Sequence, residues 1–137
     1  SYPVTSTEGN FAMHVNNNAS VTLHKLPGLD HQTLAGHQDG LKSFEVWRQT
    51  IAPQAATPVH SHACEEVIVI MRGSGVCRFE DRELPFKADQ TLIIPGDVVH
   101  QICNTGNDEL HIIATLAASP VEVKSETGAP MALPWYA

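Results

Sequence analysis

His60 and His62 stand two residues apart, Glu66 follows four residues after the second, and His100 comes three residues after the turn Pro95-Gly96-Asp97. In an extended strand alternate side chains share a face, so both imidazoles can point one way and Glu66, of the same parity, can join them. With His100 added, the set offers three nitrogens and a carboxylate. That combination suits one divalent cation, zinc or equally manganese, iron or nickel, with positions left open for exchangeable ligands. A plainer reading is available for Glu66. A buried carboxylate is costly unless paired, and Arg48, Arg72 or a histidine could neutralise it as a structural ion pair. The remaining histidines, His14, His24, His31, His37 and His111, read as ordinary surface or loop residues.

The elements that must carry these residues are short β segments. From about Leu41 onward, apolar and β-branched stretches alternate with Gly-, Asn- and Asp-containing breaks: 43–51, 65–71, 75–80, 91–95, 98–103 and 110–118. Residues 1–28 are expected to be irregular, and the Pro-interrupted tail 119–137 to form at most a short helix. No sustained helical period precedes residue 118, so the expected class is all-β. No linker or repeat divides the chain, which predicts one domain over 1–137 with its core at about 26–118. In 66–71, Glu66, Ile68 and Ile70 occupy one face and Val67, Val69 and Met71 the other. An apolar strand on both faces is expected to be covered on both sides, the second side by the N-terminal segment or by a second copy in a homodimer.

Composition removes several classes of function. The 137 residues carry 8 Lys and Arg against 15 Asp and Glu, a formal charge of −7, with no basic cluster. Nucleic-acid binding depends on basic side chains that displace phosphate counterions, and anionic membranes attract the same side chains, so neither partner is expected. The longest apolar run, Val67 to Met71, is far below the ~20 residues of a spanning helix. Three irregularly spaced cysteines, Cys64, Cys77 and Cys103, do not form a disulfide framework. They are read as small buried hydrophobes in a reducing compartment, hence a cytoplasmic location.

The stretch His60-Ser-His62-Ala-Cys-Glu-Glu66, with Gly73 beyond it, resembles the first motif of the cupin superfamily, and Pro95-Gly-Asp-Val-Val-His100-Gln-Ile-Cys-Asn104 resembles the second. The resemblance implies a double-stranded β-helix, or jelly-roll, barrel whose metal ligands are His60, His62, Glu66 and His100. The second motif usually carries Gly where Asp97 stands, with Gly96 one place earlier, which reads as a shifted turn. A narrower resemblance runs through Gly28-Leu-Asp-His31, Ala35-Gly36, Phe44-Glu-Val-Trp-Arg-Gln-Thr-Ile51 and Thr57-Pro-Val-His-Ser-His-Ala-Cys-Glu-Glu66. Together with the second motif it is similar to the plant auxin-binding proteins. In that family zinc takes the carboxylate of an indole acid while apolar side chains and a tryptophan hold the ring. The matching positions are Leu26, Leu29, Thr57 and Pro58 as wall, Gln49 nearby, and Trp135 as the stacking ring. Trp47 reads as a core residue. No counterpart of the family's end-to-end disulfide is found, which implies a bacterial-type relative.

Two functional classes follow. One is a binding protein for a small aromatic carboxylate anchored on the metal. The other is a metal-dependent enzyme (a dioxygenase, isomerase or lyase) acting on a small organic acid or sugar-like substrate, with Glu66, His111 or Gln49 as candidates for proton transfer.

Overall fold

In the computed structural model, which describes residues 12–137, the chain is built from twelve strands and three short 3₁₀ turns. The strands are β1 (His24–Leu26), β2 (Leu29–Ala35), β3 (Glu45–Ile51), β4 (His60–Ser61), β5 (Glu66–Arg72) and β6 (Ser74–Phe79). They continue with β7 (Arg82–Lys87), β8 (Gln90–Ile94), β9 (Gln101–Asn104), β10 (Leu110–Leu116), β11 (Val123–Ser125) and β12 (Pro130–Met131). One six-stranded sheet runs β1-β2-β3-β10-β5-β8. Facing strands form two three-stranded sheets, β12-β11-β4 and β7-β6-β9. All pairings are antiparallel. This is the expected all-β jelly roll.

Period-two patterning builds the interior. In β3, Glu45, Trp47, Gln49 and Ile51 are buried while the residues between them are not. In β10 the inward set is Leu110, Ile112, Ala114 and Leu116. The neighbouring β5 contributes Glu66, Ile68 and Ile70. Each fully buried Ile or Leu stabilises the fold by about 1.5–3 kcal/mol relative to exposure. The three polar members, Glu45, Gln49 and Glu66, therefore interrupt an otherwise apolar wall.

Two expectations change and a third is narrowed. The tail past residue 118 is not a helix alone: β11 pairs with β4, Lys124 opposite Ser61 and Ser125 opposite His60, and β12 pairs with β11. Strand β4 is only two residues long, and the tail gives it a hydrogen-bonded neighbour. The outer face of β5 is not covered by the described residues: Val67, Val69 and Met71 are 40%, 39% and 59% exposed, and Ile93, opposite Val67, is 73% exposed. Strand β1 also extends regular structure into the region expected to be irregular. The first eleven residues of that region lie outside the described residues.

Candidate metal centre and adjoining cavity

His60 and His100 are brought together by the backbone. Each donates its N–H to the carbonyl of the other, at 3.0 and 2.8 Å. The turn before His100 is held against His62 in a similar way, since the N–H of Asp97 donates to the His62 carbonyl at 2.8 Å. Asp97 takes a left-handed φ of 66°, a conformation that favours glycine, so the turn keeps its usual place rather than being shifted to Gly96. Gly96 is the position where only glycine fits, because a Cβ there would meet the Ala63 carbonyl oxygen at 2.2 Å. The glycine serves the close approach, and the aspartate tolerates the turn.

The three imidazoles converge. Ring centroids lie 4.4 Å apart for His60 and His100, 5.3 Å for His62 and His100, and 5.7 Å for His60 and His62. One ring nitrogen from each lies within 4.8 Å of the others. The tautomers follow from the partners. The Nδ1 of His60 meets the Pro58 carbonyl at 2.7 Å, that of His62 the Cys64 carbonyl at 2.9 Å, and that of His100 the Val98 carbonyl at 2.7 Å. A carbonyl only accepts, so each Nδ1 carries a hydrogen and each neutral ring keeps its lone pair on Nε2. Such bonds are the usual outer support of metal-binding imidazoles.

The Nε2 atoms of His62 and His100 face the same Glu66 oxygen, at 3.0 and 3.6 Å. The second distance is too long for a hydrogen bond, and His100 Nε2 is buried without a partner among the described residues. Lone pairs aimed at a carboxylate need a cation between them. A divalent ion meets that need, and so does a proton. Burial alone would depress His62, yet the hydrogen bond and charge of Glu66 raise it above its ordinary value. Burial would likewise raise Glu66, but the facing His100 and His62 rings hold its carboxyl down at about 2. Burial, helped by the neighbouring His100, lowers His60 to about 4. The arginines are not the partners of Glu66: Arg48 is engaged by Gln32 at 2.6 and 3.0 Å, and Arg72 ends β5 on the exposed side. A buried cluster of three histidines that could hold a metal ion is therefore present, with Glu66 against it.

Beside this cluster lies a cavity of about 220 Å³. Its wall includes Leu26, Leu29, Gln49, Thr57, Pro58 and Trp135, together with His60, His62 and Glu66. The volume is below the about 300–1,000 Å³ of pockets for drug-sized molecules, which restricts it to small ligands. Two wall residues have further duties. The Thr57 hydroxyl donates to the Pro58 carbonyl at 3.1 Å and accepts the Ile102 N–H at 3.0 Å, so it braces the wall. Trp47 is buried in the core as expected, but it also reaches the cavity. His111 does not reach it. It projects from the opposite face of β10, beside Glu109, and is removed from the candidates for proton transfer.

Two residues not singled out by their sequence context organise this region. His31, read as an ordinary surface histidine, is fully buried. Its ring stacks on Trp135 with centroids 3.5 Å apart and an 11° tilt. Glu45 is also fully buried and accepts four hydrogen bonds. Oε2 takes the His37 N–H and the Ser119 hydroxyl, both at 2.8 Å, while Oε1 takes the Trp47 indole N–H at 2.9 Å and the Tyr136 hydroxyl. Period-two alternation in 45–51 puts Glu45 in phase with Trp47 and Gln49, a signal that would have flagged it.

A jelly roll that gathers three imidazoles in its interior defines a cupin. Solved structures agree on the fold. An RmlC-like cupin from Shewanella frigidimarina superposes with a TM-score of 0.67 at 16% identity, covering 80% of this chain and 94% of that one. The polyketide cyclase RemF from Streptomyces resistomycificus gives 0.69 at 19% identity, covering 80% and 84%. Within the cupins, residues 10–131 match the family described as auxin binding protein, and the chain belongs to that family. Auxin-binding protein 1 of Arabidopsis thaliana is 35% identical over 127 residues, 80% of this chain but 64% of that protein. This chain thus matches less than two thirds of that relative's length.

Proposed function

We propose that this protein binds a small aromatic carboxylate through a divalent metal ion, zinc in the first instance, held by His60, His62, Glu66 and His100. The observation that carries the reading is the buried Nε2 of His100, without a hydrogen-bond partner among the described residues, which faces the same Glu66 oxygen as His62, Glu66 and His62 bordering an apolar cavity. When bound, the ion supplies a positive charge in an otherwise negative protein, to which a carboxylate can attach. The chain's own residues do the rest. Leu26, Leu29 and Pro58 exclude water from the ligand's apolar body, Trp135 offers a ring face, and Gln49 offers an amide. The family name of the relatives supports an auxin-like ligand.

Calorimetry of zinc-loaded protein with indole-3-acetate tests the reading. Binding tighter than millimolar that is abolished by His60→Ala supports it, and equal affinity in that variant defeats it. Oxygen uptake or turnover of an organic acid by the manganese- or iron-loaded protein would favour an enzyme instead. The exposed apolar face of β5 and β8 supports a homodimer, and the free thiols of Cys64, Cys77 and Cys103 support a reducing, cytoplasmic setting. No helix among the described residues is long and apolar enough to cross a membrane.

A further inference from the structure

His31 lies directly opposite Gln49 in the β2–β3 ladder, with both side chains turned inward. Both nitrogens and one face of its ring are engaged. Nδ1 meets the Gln49 carboxamide nitrogen at 3.0 Å, and Nε2 meets the Thr33 hydroxyl at 2.8 Å. One face stacks on Trp135, and Trp47 packs nearly perpendicular with centroids 5.0 Å apart. An amide nitrogen can only donate, so Nδ1 accepts and the single ring proton sits on Nε2, donated to Thr33. Burial, with the nearby His24, lowers His31 to about 3, so the ring is neutral and this tautomer persists at ordinary pH. A ring with no free donor, acceptor or charge does not serve the ligand itself. It holds two residues that do border the cavity.

We propose that His31 is the positioning residue of the cavity, locking the Gln49 carboxamide and the Trp135 indole at one fixed separation. The inference rests on the reading of the cavity as a carboxylate site. With one Gln49 N–H occupied by His31, the amide can turn only its remaining N–H and its oxygen elsewhere. Trp135 comes from the far end of the chain and has no hydrogen-bond partner for its indole nitrogen among the described residues. The Tyr136–Glu45 contact anchors the neighbouring residue, and the tilt of the Trp135 ring itself is set by packing, chiefly the His31 stack. The cavity then selects ligands whose carboxylate and aromatic body stand a set distance apart, rather than any apolar acid.

Two substitutions separate the two halves of this role. His31→Phe keeps a ring for Trp135 and removes the acceptor for Gln49. His31→Asn restores an acceptor near the Nδ1 position and removes the ring. Nuclear magnetic resonance on the ligand-free protein reads the first half. The Gln49 side-chain hydrogens should exchange about tenfold faster in His31→Phe, the loss of one hydrogen bond, and return toward the wild-type rate in His31→Asn. Histidine nitrogen shifts of the wild type should place the His31 proton on Nε2. A proton on Nδ1, read on the wild type alone, overturns the proposal even if a variant fails to fold, and so does Gln49 exchange unchanged in a folded His31→Phe. Calorimetry of zinc-loaded protein with indole-3-acetate reads what each half does for the ligand. His31→Asn, which lacks the ring, should weaken binding in the wild-type background and cost nothing further in a Trp135→Ala background. His31→Phe should weaken binding about tenfold at unchanged zinc affinity, and cost nothing further in a Gln49→Ala background. Independent, multiplying losses would show that His31 does not act through Gln49. If wild-type protein binds no aryl acid, the carboxylate reading falls, and the positioning role is judged on the exchange measurement.

Discussion

Nε2 of His62 and Oε1 of Glu66 lie 3.0 Å apart in a buried contact that closes over the four residues between β4 and β5. Because Nδ1 of His62 is tied to the Cys64 carbonyl, the proton that joins this pair is a second one on the ring. A metal ion must displace that proton, since an imidazole ligand binds through its lone pair. The raised pKa of His62 therefore sets a pH dependence. Zinc affinity should climb as pH rises above 6.5 through the folded-state value of His62, then level off. Titrations in two buffers of different ionisation enthalpy should show proton release on binding near neutral pH. Glu66→Gln removes the charge that raises His62 and should weaken zinc binding by at least about tenfold while reducing that release. An affinity flat from pH 6 to 8 would contradict the assignment.

His31 and His60 act on stability in the opposite sense to His62. Burial depresses both, to about 3 and about 4. A group whose folded pKa lies below its unfolded value contributes stability that is complete above the unfolded pKa and lost as pH falls through the folded one. For metal-free protein, stability should fall from about pH 6.5 toward pH 4 as the unfolded chain takes up protons that the fold refuses. A tenfold loss of proton affinity corresponds to about 1.4 kcal/mol, so the two residues together account for several kcal/mol. Urea unfolding across this range checks the slope, and His31→Phe should make it shallower. A slope unchanged in that variant would mean that His31 is not the acid-sensitive group.

Glu45 ties the end of the chain to the barrel. It receives the Tyr136 hydroxyl, which in turn accepts the Val121 N–H at 2.8 Å, and this fixes the turn that carries Trp135. Hydrogen bonds to an ionised group are worth about 1.5–3 kcal/mol each, and an acceptor left short inside the protein costs more than one left short in water. Tyr136→Phe should lower unfolding stability by about 2 kcal/mol and weaken aryl-acid binding through the adjacent Trp135. Thermal melts and calorimetry on the same preparations read the two effects. Lost stability with undiminished binding would separate the anchor from the cavity.

The histidine cluster was legible because its two motifs are local, although the His60–His100 bridge that joins them is not. The His60/His62 spacing, the position of Glu66 and the turn before His100 are properties of short segments, but β4 ends at Ser61, so the bend before β5 rather than strand alternation brings Glu66 to His62. The family resemblance pointed to Leu26, Leu29, Gln49, Thr57, Pro58 and Trp135, and these six line one cavity. His31 and Glu45 were not legible as site organisers. A single polar residue in an apolar strand shows nothing of partners that arrive from elsewhere, and those of Glu45 lie as far away as Ser119 and Tyr136. Strand β11 was missed for a related reason. Three residues between Pro- and Gly-containing stretches carry little pattern, and their structure comes from pairing with β4.

The outer face of β5 supplies the last prediction. Val67, Val69 and Met71 project away from the core, Ile93 stands across the ladder from Val67, and all four are well exposed. Contiguous apolar surface of this kind, at the β5–β8 end of a six-stranded sheet, marks an interaction site more often than an isolated exposed side chain does. Sheet-to-sheet contact between two copies would cover the same patch on each, and twofold symmetry makes such a patch self-complementary. Sedimentation at micromolar concentration should give a dimer. Val67→Lys combined with Ile93→Lys should give a monomer, because like charges would then oppose each other across the contact. Zinc affinity should be unchanged in the double variant, since these side chains point away from the histidine cluster. A wild-type monomer at that concentration would leave the face uncovered by a second copy and rule out the dimer. A double variant that stays dimeric would instead place the interface on another surface of the barrel.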